Sequence, residues 1–153
     1  MKTRFTALLF LTLAAGASAD AQCVLDPIRV DRIEGRLIFG FQNQYRMLDR
    51  GEITLTTLKD TQTIAASASV GQEGAFEIAG VRPGKYVLSA RSEALIPASV
   101  VVEVVRVKVT PGRRLILIVL AADATKECGG ASIKVQSRAE VDRILATANR
   151  PRR

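Results

Sequence analysis

The residues that could perform chemistry are few and widely spread along this chain. Its 153 residues include two cysteines and no histidine, so the usual general base at neutral pH and the commonest metal ligand are missing. Two pairs of carboxylates are close in sequence: Asp49 with Glu52, and Glu73 with Glu77. Both pairs fall on predicted turns or solvent-facing strand positions, where acidic residues are usually solvated. The sequence therefore predicts a protein that is not an enzyme, with no metal site and no cofactor.

The two cysteines, Cys23 and Cys128, lie near opposite ends of the chain. In an oxidising compartment such a pair predicts a disulfide, and this one would close a loop of about 100 residues. A redox pair or a metal site is the alternative, but there is no Cys-x-x-Cys and no histidine to complete either. We expect a structural disulfide between these two residues.

The N-terminal segment, residues 1–19, has the pattern of a signal peptide. Lys2 and Arg4 precede an apolar run that is too short to span a bilayer. Cleavage after Ala19 and cleavage after Ala21 both satisfy the rule of small residues before the cut. We expect an exported protein, periplasmic or secreted, that is not integral to the membrane.

The net charge of the whole chain is +7, and removal of Lys2 and Arg4 with the signal peptide leaves about +5. For an exported protein, a basic balance favours anionic envelope material or an acidic partner over nucleic acid. The alternative is that the basic residues only keep a small β-domain in solution.

Alternating apolar and polar residues predict about seven short strands, bounded by Gly, Pro, Asn and Asp. The predicted strands are residues 36–41, 53–56, 63–70, 76–78, 86–88, 100–109 and 115–120. Strands at such spacing predict an all-β fold, a single seven-stranded Greek-key β-sandwich of the transthyretin-like or immunoglobulin-like kind. The predicted sandwich covers residues 33–122 and follows an N-terminal arm at residues 20–32.

Two antiparallel hairpins are predicted from turn residues. Arg82-Pro83-Gly84-Lys85 places Pro83 and Gly84 where a type II turn needs them, between strands 76–78 and 86–88. Pro111 and Gly112 are expected to join strands 100–109 and 115–120 in the same way.

Residues 123–153 are predicted to be a basic tail, anchored by the disulfide and holding one short helix. Ser137 and Glu140 have the spacing of a capping box, and apolar residues follow at helical spacing. Two alternatives remain for this helix. It docks on its own sandwich, or it serves as a partner-binding or membrane-surface tail together with Arg143, Arg150, Arg152 and Arg153.

The turn glycines and core apolar residues together resemble the carboxypeptidase regulatory-like domains, which share a transthyretin-like, or prealbumin-like, sandwich. The resemblance covers most of residues 33–122 and is carried by Gly74, Phe76, Ile78, Pro83, Gly84, Tyr86, Leu88 and the Pro111-Gly112 turn. It implies a non-catalytic accessory or interaction role, because such domains are attached to peptidases, receptors and surface proteins.

Two functions are therefore expected as alternatives. The first is an interaction module that binds an envelope or extracellular protein or a glycan, through an edge strand or through Phe39, Phe41 and Tyr45. Core packing is the alternative role for Phe39 and Phe41, because they share a strand face with Leu37. The second function is a structural component of the envelope or surface that self-associates through an edge strand.

Overall fold

The computed structural model describes residues 24–41, 44–106, 113–122 and 131–148, which form mostly β-structure and one short helix. The strands are β1 (Val24–Val30), β2 (Ile33–Phe41), β3 (Gln44–Met47), β4 (Glu52–Thr57), β5 (Ile64–Ser69), β6 (Ala75–Ile78), β7 (Gly84–Arg91), β8 (Ala98–Val104), β9 (Arg114–Leu120) and β10 (Ser132–Ser137). The helix, α1 (Arg138–Ala148), follows β10 directly.

The strands form two mixed sheets. In sheet A the order is β1-β8-β7-β4-β5, and in sheet B it is β10-β9-β2-β3, with β6 paired to the first half of β2. Each sheet contains one parallel pair, β1 with β8 and β2 with β9. All other pairs are antiparallel.

The main core lies between the two sheets, where alternate residues of each strand point inward. Sheet A contributes buried side chains from β4, β7 and β8, and sheet B contributes them from β2, β6 and β9. The largest of these fully buried side chains include Ile53, Leu55, Leu88, Val100, Leu37, Ile116 and Ile118. Burial of each such side chain favours the folded state by about 1.5–3 kcal/mol.

Strand β9 is apolar along almost its whole length because both of its faces are covered. Ile116, Ile118 and Leu120 belong to the core between the sheets. Leu117 and Val119 point to the other side, where α1 covers them with Val141 and Leu145. The helix is therefore docked on its own sandwich, as the first of the two alternatives predicted.

The start of α1 has the Ser137 half of the predicted capping box. The backbone N–H of Glu140 donates a hydrogen bond to Oγ of Ser137 over 3.3 Å, which satisfies one of the free amides at the helix start.

The described residues contain ten strands rather than seven, and paired strands lie on both sides of residues 33–122. β1 lies in the predicted arm and pairs with β8, while β10 lies in the predicted tail and pairs with β9. Pro27 favours a loop by sequence rules, but β1 is an edge strand with a register shift between Leu25 and Ile28, where proline is tolerated. β3 is short and polar, so alternation gave no signal for it.

The predicted hairpin at residues 76–88 is wrong. β6 pairs with β2 in sheet B, whereas β7 lies between β4 and β8 in sheet A, so the connection crosses from one sheet to the other. The chain turns at Gly80, which has a φ of 72°, and Gly84 is already the first residue of β7. Both sides of β7 are occupied, so no side is left for β6.

The predicted hairpin between strands 100–109 and 115–120 is also wrong. β8 pairs with β1 and β7 in sheet A, and β9 pairs with β2 and β10 in sheet B. Pro111 and Gly112 lie outside the described residues. Both strands are central and strongly apolar, and each finds its partners elsewhere in the chain rather than in its sequence neighbour.

Gly74 is a position where only glycine fits. Its φ is +71°, in the left-handed region, and a Cβ atom there would lie 2.2 Å from the carbonyl oxygen of Leu37. Gly71 starts the same tight turn with a φ of −95°, and the nearest atom to its Cβ position is the oxygen of Ala75 at 3.7 Å. The backbone conformation at residue 74 therefore requires glycine, whereas the position of Gly71 accepts a Cβ atom.

We expect Gly74→Ala to lower the free energy of unfolding by about 1–3 kcal/mol, because alanine is strained at this φ and would contact the backbone of β2. Gly71→Ala is the matched control and should change it by less than about 0.5 kcal/mol. Urea denaturation followed by circular dichroism measures both. Equal stability of the two variants would show that the turn does not need the left-handed residue.

Candidate functional site

The three aromatic residues proposed for binding do not form one surface. Phe39 is half-buried and Phe41 is 46% exposed at the end of β2, on the strand face shared with Leu37. Tyr45 lies opposite Gly40, and its ring packs against the cluster beneath α1. Phe41 is therefore not packed in the core, which was the alternative role given to it. Tyr45 lies on the opposite face of sheet B from Phe39 and Phe41.

Five other residues named from the sequence lie outside the described residues: Cys23, Cys128, Arg150, Arg152 and Arg153. The predicted signal peptide, residues 1–19, also lies outside the described residues. The disulfide and the basic end of the tail therefore stay predictions.

The residues that carry the family resemblance lie in turns and in the core, where they stabilise the fold. The hydroxyl of Tyr86 donates a hydrogen bond to the carbonyl oxygen of Arg82 over 2.9 Å, four residues upstream, in the manner of a tyrosine corner. The ring of Phe76 lies against Gly35, where a Cβ atom would be 2.7 Å from it. Leu88 is fully buried, and Pro83 directly precedes the first residue of β7. These residues shape the sandwich rather than a binding surface.

An ion pair that sequence reasoning missed joins the starts of β2 and β9. Glu34 is only 4% exposed, and Nε of Arg113 donates a hydrogen bond to its Oε1 over 2.8 Å. A second nitrogen of Arg113 donates to Oε2, so the contact is bidentate. The hydrogen bond from Arg113 lowers the pKa of Glu34, although burial acts in the opposite direction. No sequence signal marks this pair, because its members are 79 residues apart.

The outer face of sheet A carries a groove lined mostly by hydroxyl and other polar side chains. One row across four strands consists of Ser67, Thr54, Ser89 and Ser99. The hydroxyls of Ser89 and Ser99 are 2.9 Å apart. Glu52 and Arg91 lie opposite each other beside this row, and the groove has a volume of about 480 Å³. Such a lining can donate and accept hydrogen bonds.

Strand β5 is one of the two edges of sheet A and borders this groove. It contains neither a charged residue nor a proline, and its Ile64 is 56% exposed. Among the strands that the structure describes, none pairs with its outer side. An exposed edge of this kind offers backbone N–H and C=O groups to another strand.

The other edges of the two sheets are protected. β1 contains Pro27 and a register shift. β3 and β6 are only four residues long, and β3 contacts α1, while β10 contacts both α1 and β1. β5 has a register shift at its start and contacts β6, but it is longer than β3 and β6 and carries no proline or charge, so it is the least protected edge within the described ranges.

Comparisons with known proteins do not assign the chain to a family. It matches no protein-family model and no curated protein. The resemblance to carboxypeptidase regulatory-like domains rests on the residues described above.

Within residues 24–41, 44–106, 113–122 and 131–148, no helix has the length and hydropathy needed to cross a membrane. The same residues contain no group of three or more acidic side chains arranged to hold a metal ion.

The Glu34–Arg113 pair should make stability depend on pH. Because the folded-state pKa of Glu34 is lowered, its contribution is fully present above about pH 4.3, the unfolded value, and is lost as the pH falls through the folded value. We expect Glu34→Gln to be less stable than the native chain at pH 7, with a difference that shrinks below about pH 4.3. Urea unfolding at pH 7, 5, 4 and 3 measures this.

Arg113→Lys keeps the charge but loses the bidentate contact, and it should show an intermediate difference. A stability difference between Glu34→Gln and the native chain that stays constant from pH 7 to pH 3 would contradict the role given to the pair.

The Tyr86 hydroxyl should contribute to stability through its bond to Arg82. We expect Tyr86→Phe to lower the free energy of unfolding by about 1 kcal/mol, a typical net value for one hydrogen bond. Tyr45→Phe is the control, since no hydrogen bond of the Tyr45 hydroxyl is seen among the described residues. The two melting curves should separate, and coincident curves would argue against a tyrosine corner.

Proposed function

We propose that this chain is an exported, non-catalytic β-sandwich module that binds an extended segment of a partner protein along β5. We further propose that the sandwich is a Greek-key domain of the carboxypeptidase regulatory-like type. Export is supported by the signal-like pattern of residues 1–19. The domain type is supported by three residues of the resemblance: Gly74 lies at a left-handed turn, the Tyr86 hydroxyl bonds back to Arg82, and Leu88 is buried in the core.

The observation that carries the proposed function is the open edge of β5. Long, uncharged edges favour association, and proteins that avoid it place Lys, Pro or a bulge there. β5 has Ala and Ser at five of its six positions, and its single register shift lies at its start, opposite Thr56. An extended partner segment would add a sixth strand to sheet A through backbone hydrogen bonds.

The groove on the outer face supports a polypeptide partner. It lies beside β5 and combines hydroxyls with the exposed side chain of Ile64 and the charges of Glu52 and Arg91. A peptide that leaves the edge across sheet A would meet both hydrogen-bonding and apolar surface there. Its lining within the described residues contains no aromatic ring, which favours a peptide over a stacked sugar.

Self-association is the second candidate function, and it uses the same edge. Two copies of a basic chain repel each other, but β5 itself is uncharged, so an antiparallel pair of β5 strands would bring no like charges together within the strands. In that case the protein would be a structural component of the envelope or surface.

A charge on the edge tests the proposed function. Ser67 points to the outer face of β5, opposite Thr54, and Ser67→Lys should weaken partner binding about tenfold or more by placing a lysine at the edge. Ala146→Lys is the matched control, because Ala146 is exposed on α1, on the far side of sheet B. The chain from residue 20 is immobilised, and proteins retained from the envelope and culture fractions of its source are identified and titrated.

Retention of one defined protein that is lost in Ser67→Lys and kept in Ala146→Lys supports the partner-binding function. Dimers in sedimentation velocity that dissociate in Ser67→Lys, with no other protein retained, would favour the self-association function. Equal retention by both variants would rule out β5 as the site.

A further inference from the structure

The strand topology sorts the charged residues between the two ends of the sandwich. At one end, here called the basic end, β1, β4, β6 and β8 finish, and β7 and β9 begin. Basic residues at this end without an ion-pair partner among the described residues are Arg32, Lys59, Arg82, Lys85, Arg106 and Arg114, and they outnumber the acidic Asp31, Asp60 and Glu77 that lie at the same end. Arg29 and Arg113 lie here as well, paired with Glu103 and Glu34.

The opposite end is acidic. The connections β3–β4, β5–β6 and β7–β8, together with the start of β4, lie there and carry more acidic than basic side chains. The acidic ones are Asp49, Glu52, Glu73 and Glu93, against Arg50 and Arg91. The described part of the molecule therefore has an electric polarity along its strands, and an anionic surface would attract one end only.

The basic end contains a cleft of about 360 Å³ lined by arginines. Arg29, Arg106 and Arg114 surround it, Val30, Val105 and Val135 provide an apolar lining, and Asp31 is the one acidic side chain in that lining. The ion pair of Arg29 with Glu103 is exposed and 3.6 Å long, so it holds Arg29 only weakly. Guanidinium groups bind phosphate oxygens in a planar, bidentate way, which suits this cleft to a phosphate group.

Exposed apolar side chains lie at the same end. Leu58 is 44% exposed and Ile64 is 56% exposed, and both flank the β4–β5 connection. Phe41, the other large apolar side chain that is exposed among the described residues, lies at the acidic end. Basic residues combined with exposed Leu and Ile are the features that bind a protein to an anionic membrane surface.

We infer that the basic end docks on the surface of a membrane that contains anionic phospholipid, with a headgroup phosphate in the arginine cleft. The strands then stand upright on the membrane, and the acidic end points away from it. The unpaired edge of β5 runs between the two ends, so in this orientation it points sideways, away from the membrane surface, and stays open to a partner. This surface shares Ile64 with the groove of the proposed function, but its arginines and Leu58 lie apart from the backbone edge of β5, so either can fail without the other.

The test is cosedimentation of the chain from residue 20 with vesicles of phosphatidylcholine alone or with added phosphatidylglycerol. We expect binding only when phosphatidylglycerol is present, and loss of binding at high salt. The double variant Arg106→Gln/Arg114→Gln should bind at least tenfold more weakly, since each charge near the surface contributes roughly fivefold. Arg50→Gln/Arg91→Gln removes the same net charge from the acidic end and should change binding less than twofold.

Further variants separate the two surfaces. Leu58→Ser should weaken vesicle binding, whereas Ser67→Lys should not, and circular dichroism melts confirm that each variant is folded. Equal loss in both double arginine variants would overturn the inference, since net charge alone would then explain binding. Absence of binding to phosphatidylglycerol vesicles would also overturn the inference. The same holds if the basic end of one copy binds the acidic end of another copy and the chain does not bind the vesicles.

Discussion

The arrangement of this protein depends on the need to cover both faces of β9. Its inner side chains, such as Ile118, require sheet A, and its outer ones, such as Leu117, require α1. Parallel pairing is typical of strands that are covered on both faces, as β9 and its parallel partner β2 are here, whereas the parallel pair of β1 and β8 keeps one face exposed. The helix is therefore a part of the sandwich, because without it the outer apolar row of β9 would face water, and β10 pairs with β9 through the backbone along one side.

Once the interior is filled, the surfaces that we propose for partners are the edge of β5 with the groove beside it and the basic end of the sandwich. Most edges are blocked by short length, proline or contacts with neighbouring elements, and β5 is the exception. The two ends differ in charge because each gathers a different set of connections. Glu34 illustrates the cost of placing charge inside this frame: it is tolerated at a buried position because Arg113 binds both of its oxygens.

The features that the sequence predicted correctly are local. Alternation located β2, β4 and β9 and the inward positions Leu37, Ile53 and Leu55. The cap at Ser137 and the buried face of α1 followed from helical spacing. The strands that it missed, β1, β3 and β10, contain proline or polar residues, and pairing rather than intrinsic preference makes them strands.

By itself the sequence determined that the chain is mainly β, where most strands lie and that a short helix begins after Ser137, because side-chain alternation, turn residues and caps act over a few residues. Only the tertiary structure decided which strands pair. Both predicted hairpins failed because β6 and β7, and likewise β8 and β9, have better partners far along the chain. Pairing is a competition among distant strands for burial and hydrogen bonds, and the Glu34–Arg113 pair, the open edge of β5 and the segregation of charge all follow from its outcome.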